Sequence, residues 1–137
     1  MATKRIRNEI RVVAAVMQKN GKILICQRKR TDRHPLKWEF PGGKVELDEE
    51  PRPALARELS EELAVIATIG EEIVRYEHQY PGRIPIVLMF YRVEHWTGDP
   101  TNVIFEQMKW VLPKRLPSFD FLEGDIDFVR RLASGEY

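Results

Sequence analysis

The 137-residue chain has one cysteine, no strong charge excess and no long apolar run, and each shortage argues against a class of protein. A lone Cys26 excludes an internal disulfide framework and fits a reducing compartment such as the cytoplasm. A net charge of +1 argues against a dedicated nucleic-acid binder, which is usually strongly basic. The apolar runs are far too short to span a bilayer. We therefore expect a cytoplasmic protein with no membrane and no stable nucleic-acid partner.

Hydrophobic residues make up 43% of the chain, which is enough for a substantial core. No linker, repeat or low-complexity tract divides the sequence, so a single domain over residues 1–137 is expected. The residue patterns predict strands over 10–17, 23–26, 38–40, 66–77, 84–93 and 108–112, and helices over 50–63 and 125–132. Strands, a helix, further strands and a last helix predict an α+β fold.

Acidic residues crowd into one short segment, residues 43–65. Seven of the chain's 21 Asp and Glu residues lie in these 23 positions, against three basic residues. The segment carries −4, so the rest of the chain carries +5. Crowded carboxylates repel one another, and a hard divalent cation such as Mg²⁺ would relieve that repulsion because it takes oxygen ligands. The net positive charge of the remaining residues suits an anionic substrate that binds beside such a site.

Helical spacing places three of these carboxylates, Glu58, Glu61 and Glu62, in one narrow sector of the predicted helix. The adjoining apolar stripe, which would seat the helix on a core, contains Leu55, Ala56, Leu59 and Leu63. Like charges four residues apart weaken a bare helix, and a bound cation reverses that effect. The alternative interpretation is a solvated acidic face, or an acidic interaction domain that holds no metal.

A glycine turn, Pro41-Gly42-Gly43, precedes the helix and permits a close approach of backbone to a ligand. The spacing from this turn through the helix is specific: Gly, five residues, Glu, seven residues, then Arg-Glu-aliphatic-x-Glu-Glu. The positions that carry it are Gly43, Glu49, Arg57, Glu58, Leu59, Glu61 and Glu62. In this pattern the chain resembles the Nudix hydrolases. One position departs from the family's pattern: Ala64 replaces a Gly that commonly supports a left-handed helix cap.

The resemblance implies an α/β/α sandwich with a mixed sheet, and a Mg²⁺ site in which Mn²⁺ could replace Mg²⁺. Its implied metal ligands are the Gly43 carbonyl and the carboxylates of Glu58, Glu61 and Glu62. Glu58 would activate water, with Glu61 as the competing candidate, while Arg57 and Glu49 would pair and hold Glu58 in place. The alternative for that pair is a surface ion pair of little energetic consequence. Glu106 would be a further acidic ligand from a distant loop, or else a solvated loop charge.

Residues flanking the signature, WEFPGGKVE, resemble the MutT-like branch of the family. The resemblance implies substrate contacts by Arg28, by Phe40 in a base pocket and by Asp125 at the base. Each has a plain alternative: Arg28 as a solvating charge on a strand, Phe40 as core filling, and Asp125 as the N-cap of the last helix. An ionised Asp125 accepts hydrogen bonds only, which suits the amino group of cytosine or the extra N–H of 8-oxoguanine.

The expected function is a Mg²⁺-dependent nucleoside triphosphate pyrophosphohydrolase that releases a nucleoside monophosphate and pyrophosphate. Its expected substrate is a modified or pyrimidine nucleotide: 8-oxo-dGTP, CTP, dCTP or 5-methyl-dCTP. The alternatives are hydrolysis of another nucleoside diphosphate derivative such as ADP-ribose, and a non-catalytic nucleotide-binding module. The expected partner is the nucleotide alone, and the chain is expected to be a monomer or a homodimer.

Overall fold

The computed structural model of the protein describes residues 9–137. Residues 1–8 of the expected single domain lie outside this range. The strands are β1 (Ile10–Lys19), β2 (Lys22–Gln27), β3 (Trp38–Glu39), β4 (Gly42–Lys44), β5 (Ile66–Thr68), β6 (Glu72–His78), β7 (Ile86–Val93), β8 (His95–Thr97) and β9 (Gln107–Val111). The α-helices are α1 (Pro51–Leu63) and α2 (Ile126–Ala133), and 3₁₀ turns cover Pro113–Ser118 and Glu123–Asp125. No helix of the described part is long and apolar enough to cross a membrane.

Seven strands form one mixed sheet with β1 near its centre. The order is β3-β2-β1-β7-β6, with β4 paired to β1 and β9 paired to β2. β1 and β7 run parallel, and the other pairs are antiparallel. The predicted hairpin between β1 and β2 is confirmed, because Asn20 and Gly21 both adopt positive φ, of 53° and 75°, as a tight two-residue turn requires.

Both faces of the sheet are covered, so successive residues of β1 are buried in two different clusters. Val13 and Ala15 pack on the face that α1 covers, where they join Leu55, Leu59 and Leu63. Ala14 and Val16 pack on the opposite face, which α2 covers with Phe128, Val129 and Leu132. Alternate strand residues point to opposite faces, so burial of both sets produces the helix–sheet–helix sandwich. The expected α+β sandwich with a mixed sheet is confirmed.

Helix α1 begins at Pro51, one residue after the predicted start, and Glu50 is its N-cap. Ala54 is fully buried beneath the helix, whereas Ala56, expected in the apolar stripe, is only half-buried. The helix ends at Ala64, which adopts the left-handed conformation with φ 57° and ψ 39° and donates its N–H to Ser60 O at 3.0 Å. The alanine therefore takes the backbone conformation that glycine adopts without cost.

The prediction of one strand over 66–77 is wrong, because two short strands with different partners replace it. β5 pairs with β8 in a separate two-stranded sheet, and β6 pairs with β7. Between them the N–H of Gly70 donates to Arg92 O at 2.8 Å. A Cβ on Gly70 would meet that same oxygen at 2.6 Å, so the chain bends where only glycine fits. The apolar pattern continues through the bend, which is why it predicted a single strand.

The remaining differences from the predicted bounds are small. The strands predicted over 38–40, 84–93 and 108–112 are Trp38–Glu39, Ile86–Val93 and Gln107–Val111, and the last helix is Ile126–Ala133. Two short strands, β4 and β8, were not predicted. β4 consists of glycines and a lysine, residues with low strand propensity, and forms because it pairs with β1.

Candidate active site

A cavity of about 970 Å³ opens between the sheet, the glycine turn, α1 and the loops around residues 32–34 and 80–84. Its volume is at the upper end of the range for small-molecule sites. Six of the predicted site residues line it: Arg28, Phe40, Gly43, Glu58, Glu62 and Asp125. The structure therefore brings the acidic helix and the predicted substrate contacts to one cavity, although they lie up to 97 positions apart in the chain.

Strand β4 holds Gly43 directly against the carboxylate of Glu58. Gly43 pairs with Val13 in the sheet, and α1 packs beside this strand. Any Cβ at position 43 would collide with the Glu58 carboxylate carbon and both of its oxygens. The glycine of the signature therefore makes room for the Glu58 carboxylate beside the backbone.

Glu62 and Glu58 form a pair of acidic groups at this end of the cavity. Glu62 is buried and accepts a hydrogen bond from the Gly42 N–H at 3.1 Å. Burial, with the charge of Glu58 as the next cause, raises the pKa of Glu62 to about 9. Burial also raises the pKa of Glu58 above its ordinary value, against the opposing effect of Arg57. The two carboxyl groups lie close enough to share a hydrogen bond. If both were ionised they would repel each other strongly, unless a cation lay between them.

Arg57 organises the acidic residues next to this pair. Its guanidinium binds Glu49 with two hydrogen bonds, Nε to Oε2 at 2.7 Å and Nη2 to Oε1 at 2.9 Å. Its Nη1 reaches Glu58 Oε1 at 3.1 Å and Glu61 Oε2 at 3.3 Å. The hydrogen bonds from Arg57, and then that from the Glu46 N–H, lower the pKa of Glu49 to about 2. The arginine thereby fixes the direction of the Glu58 side chain from outside the cavity.

Two predicted metal ligands lie apart from this pair. Glu61 is 59% exposed, faces Arg57 and does not line the cavity. Glu106 lies in the loop before β9 and does not line the cavity either. Its Oε1 atom is 3.9 Å from Arg30 Nη2. Across residues 9–137, no three His, Cys, Asp or Glu side chains are grouped as a metal site would require. The ligand roles of Glu61 and Glu106 therefore stay predictions.

The residues present nevertheless have the donor chemistry that Mg²⁺ needs. Glu58 and Glu62 offer carboxylate oxygens within one cavity, and Gly43 offers a backbone carbonyl beside them. Hard divalent cations take oxygen ligands of this kind and usually share one or two carboxylates with substrate phosphates. A cation here would also compensate the burial that disfavours the charged forms of Glu58 and Glu62. These three residues fit the metal that the signature implies.

Phe40 and Asp125 also line the cavity. Phe40 is 3% exposed and stacks on Phe121 with 5.4 Å between ring centroids, so it is a core residue as well as a cavity wall. Asp125 is 6% exposed at the N-cap position of α2, but its carboxylate caps no helix N–H. Burial, and to a smaller extent the charge of Glu39, raises the pKa of Asp125 to about 8. The capping interpretation of this side chain is therefore wrong.

Two tyrosines fix the backbone next to Asp125. Tyr76 Oη donates to Gly124 O at 2.6 Å, and the Gly124 N–H donates to Tyr80 Oη at 3.3 Å. Neither hydroxyl is hydrogen-bonded to the Asp125 carboxylate. Asp125 is thus held in a defined position with its carboxylate available to a ligand.

Glu39 is a cavity residue that the sequence interpretation missed. Its carboxylate pairs with Arg28 Nη1 at 3.1 Å, and burial raises its pKa despite that pairing. Strand alternation could have indicated it, because Trp38 and Phe40 pack together on the α2 face and Glu39 must point to the other. Arg28 also donates to Arg33 O at 2.6 Å, so it is a buttressed cavity residue rather than a freely solvated charge.

The mouth of the cavity is positively charged. Burial, and then the charges of Arg28, Arg33 and Arg83, lower the pKa of the neighbouring His34. All four of these residues line the cavity. A cationic mouth favours entry of an anionic ligand.

Comparison with known proteins gives one family for almost the whole chain. The model of the NUDIX domain matches residues 7–132. The match includes the glycine turn, the acidic helix and the segment that carries Asp125.

Individual relatives agree with that match. The CTP pyrophosphohydrolase of Escherichia coli is 38% identical over 120 residues, covering 88% of each chain. The 8-oxo-dGTP diphosphatase of Haemophilus influenzae is 34% identical over 124 residues, covering 90% of each. Among solved structures, the E. coli ORF135 protein superimposes with a TM-score of 0.84 at 34% identity, covering 94% of this chain and 91% of that one.

Proposed function

The chain belongs to the NUDIX domain family, and on that premise we propose that it is a Mg²⁺-dependent nucleoside triphosphate pyrophosphohydrolase. It adds water to the triphosphate and releases a nucleoside monophosphate and pyrophosphate. Its substrate is a modified or pyrimidine nucleotide: 8-oxo-dGTP, CTP, dCTP or 5-methyl-dCTP. Residues 1–137 act as a single domain, and its partner is the nucleotide substrate. The observation that carries the proposal is one cavity with paired carboxylates at one end and a buried, unpaired carboxylate at the other.

The triphosphate lies at the Glu58 end. Glu58, Glu62 and the Gly43 carbonyl would hold the metal there, with Glu61 and Glu106 as further ligands. A bound Mg²⁺ supplies charge neutralisation for the phosphate oxygens and lowers the pKa of water. Glu58 takes the proton of the attacking water, with Glu61 as the competing base. Arg57 and Glu49 keep Glu58 in position through the hydrogen bonds that they already make.

The base lies at the Asp125 end. The aromatic ring of Phe40 forms an apolar wall there, and Asp125 offers a carboxyl group without a partner of its own among the described residues. Leaving such a group buried and unpaired is costly, so a ligand that pairs with it gains affinity and selectivity. Arg28 lies at the cationic mouth and contacts the substrate from that side.

Two curated relatives favour the proposed substrate class. One is named a CTP pyrophosphohydrolase and another an 8-oxo-dGTP diphosphatase, and both cover most of this chain. Cytosine has an amino group and 8-oxoguanine has an additional N–H, and either donor suits an ionised Asp125. Because its pKa lies near 8, Asp125 is largely protonated at neutral pH before a ligand binds, and a donor group of the base would favour its ionised form.

A panel of nucleotides tests the proposal. CTP, dCTP, 5-methyl-dCTP, dGTP, 8-oxo-dGTP and ADP-ribose are incubated with the protein and Mg²⁺, and the products are resolved by chromatography. The expected result is a monophosphate and pyrophosphate, with the highest kcat/KM for one of the proposed substrates. Preferred hydrolysis of ADP-ribose would favour the other substrate class, and turnover of none would leave a nucleotide-binding module. Hydrolysis in ¹⁸O-labelled water then locates the phosphorus that water attacks.

The Asp125→Ala variant tests the assignment of the base end. If Asp125 pairs with a donor group of the base, its removal lowers kcat/KM about tenfold for the preferred nucleotide and less for the others. Relative kcat/KM values that stay unchanged across the panel would contradict the assignment. The matched control is Asp127→Ala, because Asp127 is an exposed aspartate in the first turn of α2.

A further inference from the structure

Helix α2 begins without a cap from its own N-cap side chain, and the backbone before it gives the reason. Asp125 occupies the N-cap position, but its backbone is in the right-handed helical region, with φ −93° and ψ −12°, and its carboxylate caps no N–H of the helix. Capping aspartates usually have an extended backbone, from which the carboxylate reaches the second or third N–H of the helix. The conformation of this turn therefore decides whether the carboxylate serves the helix or the cavity that Asp125 lines.

The hydroxyl group of Tyr76 holds that turn in place. Tyr76 lies in β6, and its Oη donates to the carbonyl oxygen of Gly124, the residue before Asp125, at 2.6 Å. Burial, and then the charge of Asp125, raise the pKa of Tyr76, while a hydrogen bond from the Phe128 N–H to the same hydroxyl lowers it. Phe128 is the third residue of α2, and its N–H is among those at a helix start that have no partner within the helix. The tyrosine thus takes the capping role that the Asp125 carboxylate leaves.

The ring of Tyr76 is fixed by packing, so the hydroxyl has little freedom to move. It stacks on Phe90 with 5.9 Å between ring centroids, and Phe90 stacks on Phe128 of α2 at 3.9 Å. The turn itself approaches the sheet closely, because a Cβ on Gly124 would come within 3.2 Å of side chains on β6 and β7. Tyr76 does not line the cavity. It therefore acts on a ligand there only through the turn that carries Asp125.

We propose that Tyr76 is a positioning residue that caps the start of α2 in place of Asp125 and thereby directs the Asp125 carboxylate to the base of the nucleotide. This inference rests on the proposed function, because it takes Asp125 to contact the base. Two groups compete for one carboxylate: the N–H groups at the start of α2 and the donor group of the base. The Tyr76 hydroxyl satisfies the helix, so the carboxylate remains available to the base. Without that hydroxyl, the turn is free to become extended and the carboxylate turns to the helix.

The Tyr76→Phe variant keeps the stacked ring and removes only the hydroxyl. We expect kcat/KM for the preferred nucleotide to fall about fivefold to tenfold, and kcat/KM for poorly used nucleotides to change less, so that discrimination narrows. The loss should lie in KM, with kcat nearly unchanged, because the base is contacted in the ground state and the transition state alike. A hydroxyl with a merely structural role would lower the thermal midpoint and leave the relative kcat/KM values as they were.

The matched control is Tyr91→Phe. Tyr91 is a buried tyrosine of β7 that does not line the cavity, and its hydroxyl donates to Glu72 Oε1 at 3.0 Å. Its removal also costs a hydrogen bond, so we expect a lower thermal midpoint in both variants and a changed nucleotide preference in Tyr76→Phe alone. An equal change of preference in the two variants, or none in Tyr76→Phe, would overturn the inference.

The protonation of Asp125 gives a second readout, which needs no turnover. The carboxyl ¹³C resonance of Asp125 is followed against pH in ¹³C-labelled protein. Burial, and then the charge of Glu39, raise the pKa of Asp125 to about 8 in the wild type. We expect a lower midpoint in Tyr76→Phe, because the N–H groups of the helix favour the ionised carboxylate. An unchanged midpoint would also overturn the inference. If the wild type hydrolyses no nucleotide at all, the proposed function fails, and this titration then decides whether Tyr76 directs the Asp125 carboxylate.

Discussion

At the Glu58 end of the cavity the acidic side chains have partners, whereas at the Asp125 end they do not. Glu58 accepts a hydrogen bond from Arg57, and Glu62 accepts one from the Gly42 N–H. The Asp125 carboxylate lines the cavity and makes no capping hydrogen bond with α2. One end is thus assembled before a ligand arrives, and the other keeps its hydrogen-bonding capacity for the ligand.

The difference separates two tasks that one cavity must perform. Groups that hold a metal and activate water need a fixed geometry, which the Arg57 network supplies through charge-assisted hydrogen bonds. Groups that select a base need unsatisfied capacity, because a competing base that fails to pair leaves them buried and unpaired. We therefore expect substitutions at the Glu58 end to change catalytic rate, and substitutions at the Asp125 end to change the preference among nucleotides.

The largest expected loss of activity follows from removing a carboxylate charge at the Glu58 end, which we call the partnered end because its acidic side chains have hydrogen-bond partners. Glu58→Gln, Glu61→Gln and Glu62→Gln should each lower Mg²⁺-dependent hydrolysis by about 10²-fold or more, because each loses a predicted metal ligand or base. Circular dichroism should show that each variant stays folded. The control is Glu50→Gln, an exposed carboxylate at the N-cap of α1 that makes no capping hydrogen bond. Full activity in all three variants would contradict the proposed roles of these carboxylates in metal binding and water activation.

A smaller loss of activity is expected when only the hydrogen bonds that position Glu58 are weakened. Lysine cannot reproduce the two parallel hydrogen bonds that Arg57 makes with Glu49, so Arg57→Lys should lower kcat roughly 10- to 100-fold. The kcat of this variant is measured by steady-state kinetics at saturating Mg²⁺. Arg131→Lys is the matched control, since Arg131 also binds a carboxylate one helical turn away, Asp127 at 3.1 Å. Equal losses in the two variants would show that Arg57 has no special role.

Much of the partnered end was predictable because it is contiguous in sequence. Residues 43–65 carry the glycine turn, the helix and the Arg57 network within 23 positions, and local spacing determines their relative placement. The prediction of a single cluster of three carboxylates was less successful. Side-chain direction places Glu61 outside the cavity, toward Arg57, although it shares a helix sector with Glu58 and Glu62.

The unpartnered end was harder to predict because it is assembled from distant elements. His78 and Asp125 come from β6 and the turn before α2, and only the pairing of the sheet brings them to one cavity. Nothing local marks His78, since a histidine ending a strand is ordinary. The bend at Gly70 was missed for a similar reason, because its defining contact is with Arg92, 22 positions away.

The burial of Asp125 predicts a pH dependence of stability. Its folded pKa of about 8 exceeds its unfolded pKa of about 4, so its contribution to stability is full below pH 4 and is lost as pH rises toward 8. Asparagine does not titrate. The free energy of unfolding of Asp125→Asn, relative to wild type, should therefore increase by at least about 1 kcal/mol from pH 4 to pH 8 in urea titrations. A constant difference over this range would show that Asp125 ionises normally.

The smallest expected effect concerns the left-handed end of α1. Ala64→Gly should raise the free energy of unfolding by about 1 kcal/mol, because glycine adopts φ 57° without the steric cost of a Cβ. The thermal midpoint should rise by a few degrees. The same substitution within α1, Ala56→Gly, should instead destabilise the protein by about 1 kcal/mol. Destabilisation by both substitutions would mean that Ala64 bears no strain.

Calorimetric titration of Mg²⁺ tests the division of the cavity most directly. Mg²⁺ is titrated into the protein in the presence of a non-hydrolysable triphosphate analogue, with the wild type, Glu58→Gln and Asp125→Asn compared. We expect Mg²⁺ binding by the wild type, at least tenfold weaker binding by Glu58→Gln, and wild-type Mg²⁺ affinity in Asp125→Asn once the analogue is saturating. Equal Mg²⁺ affinity in Glu58→Gln and the wild type would contradict it.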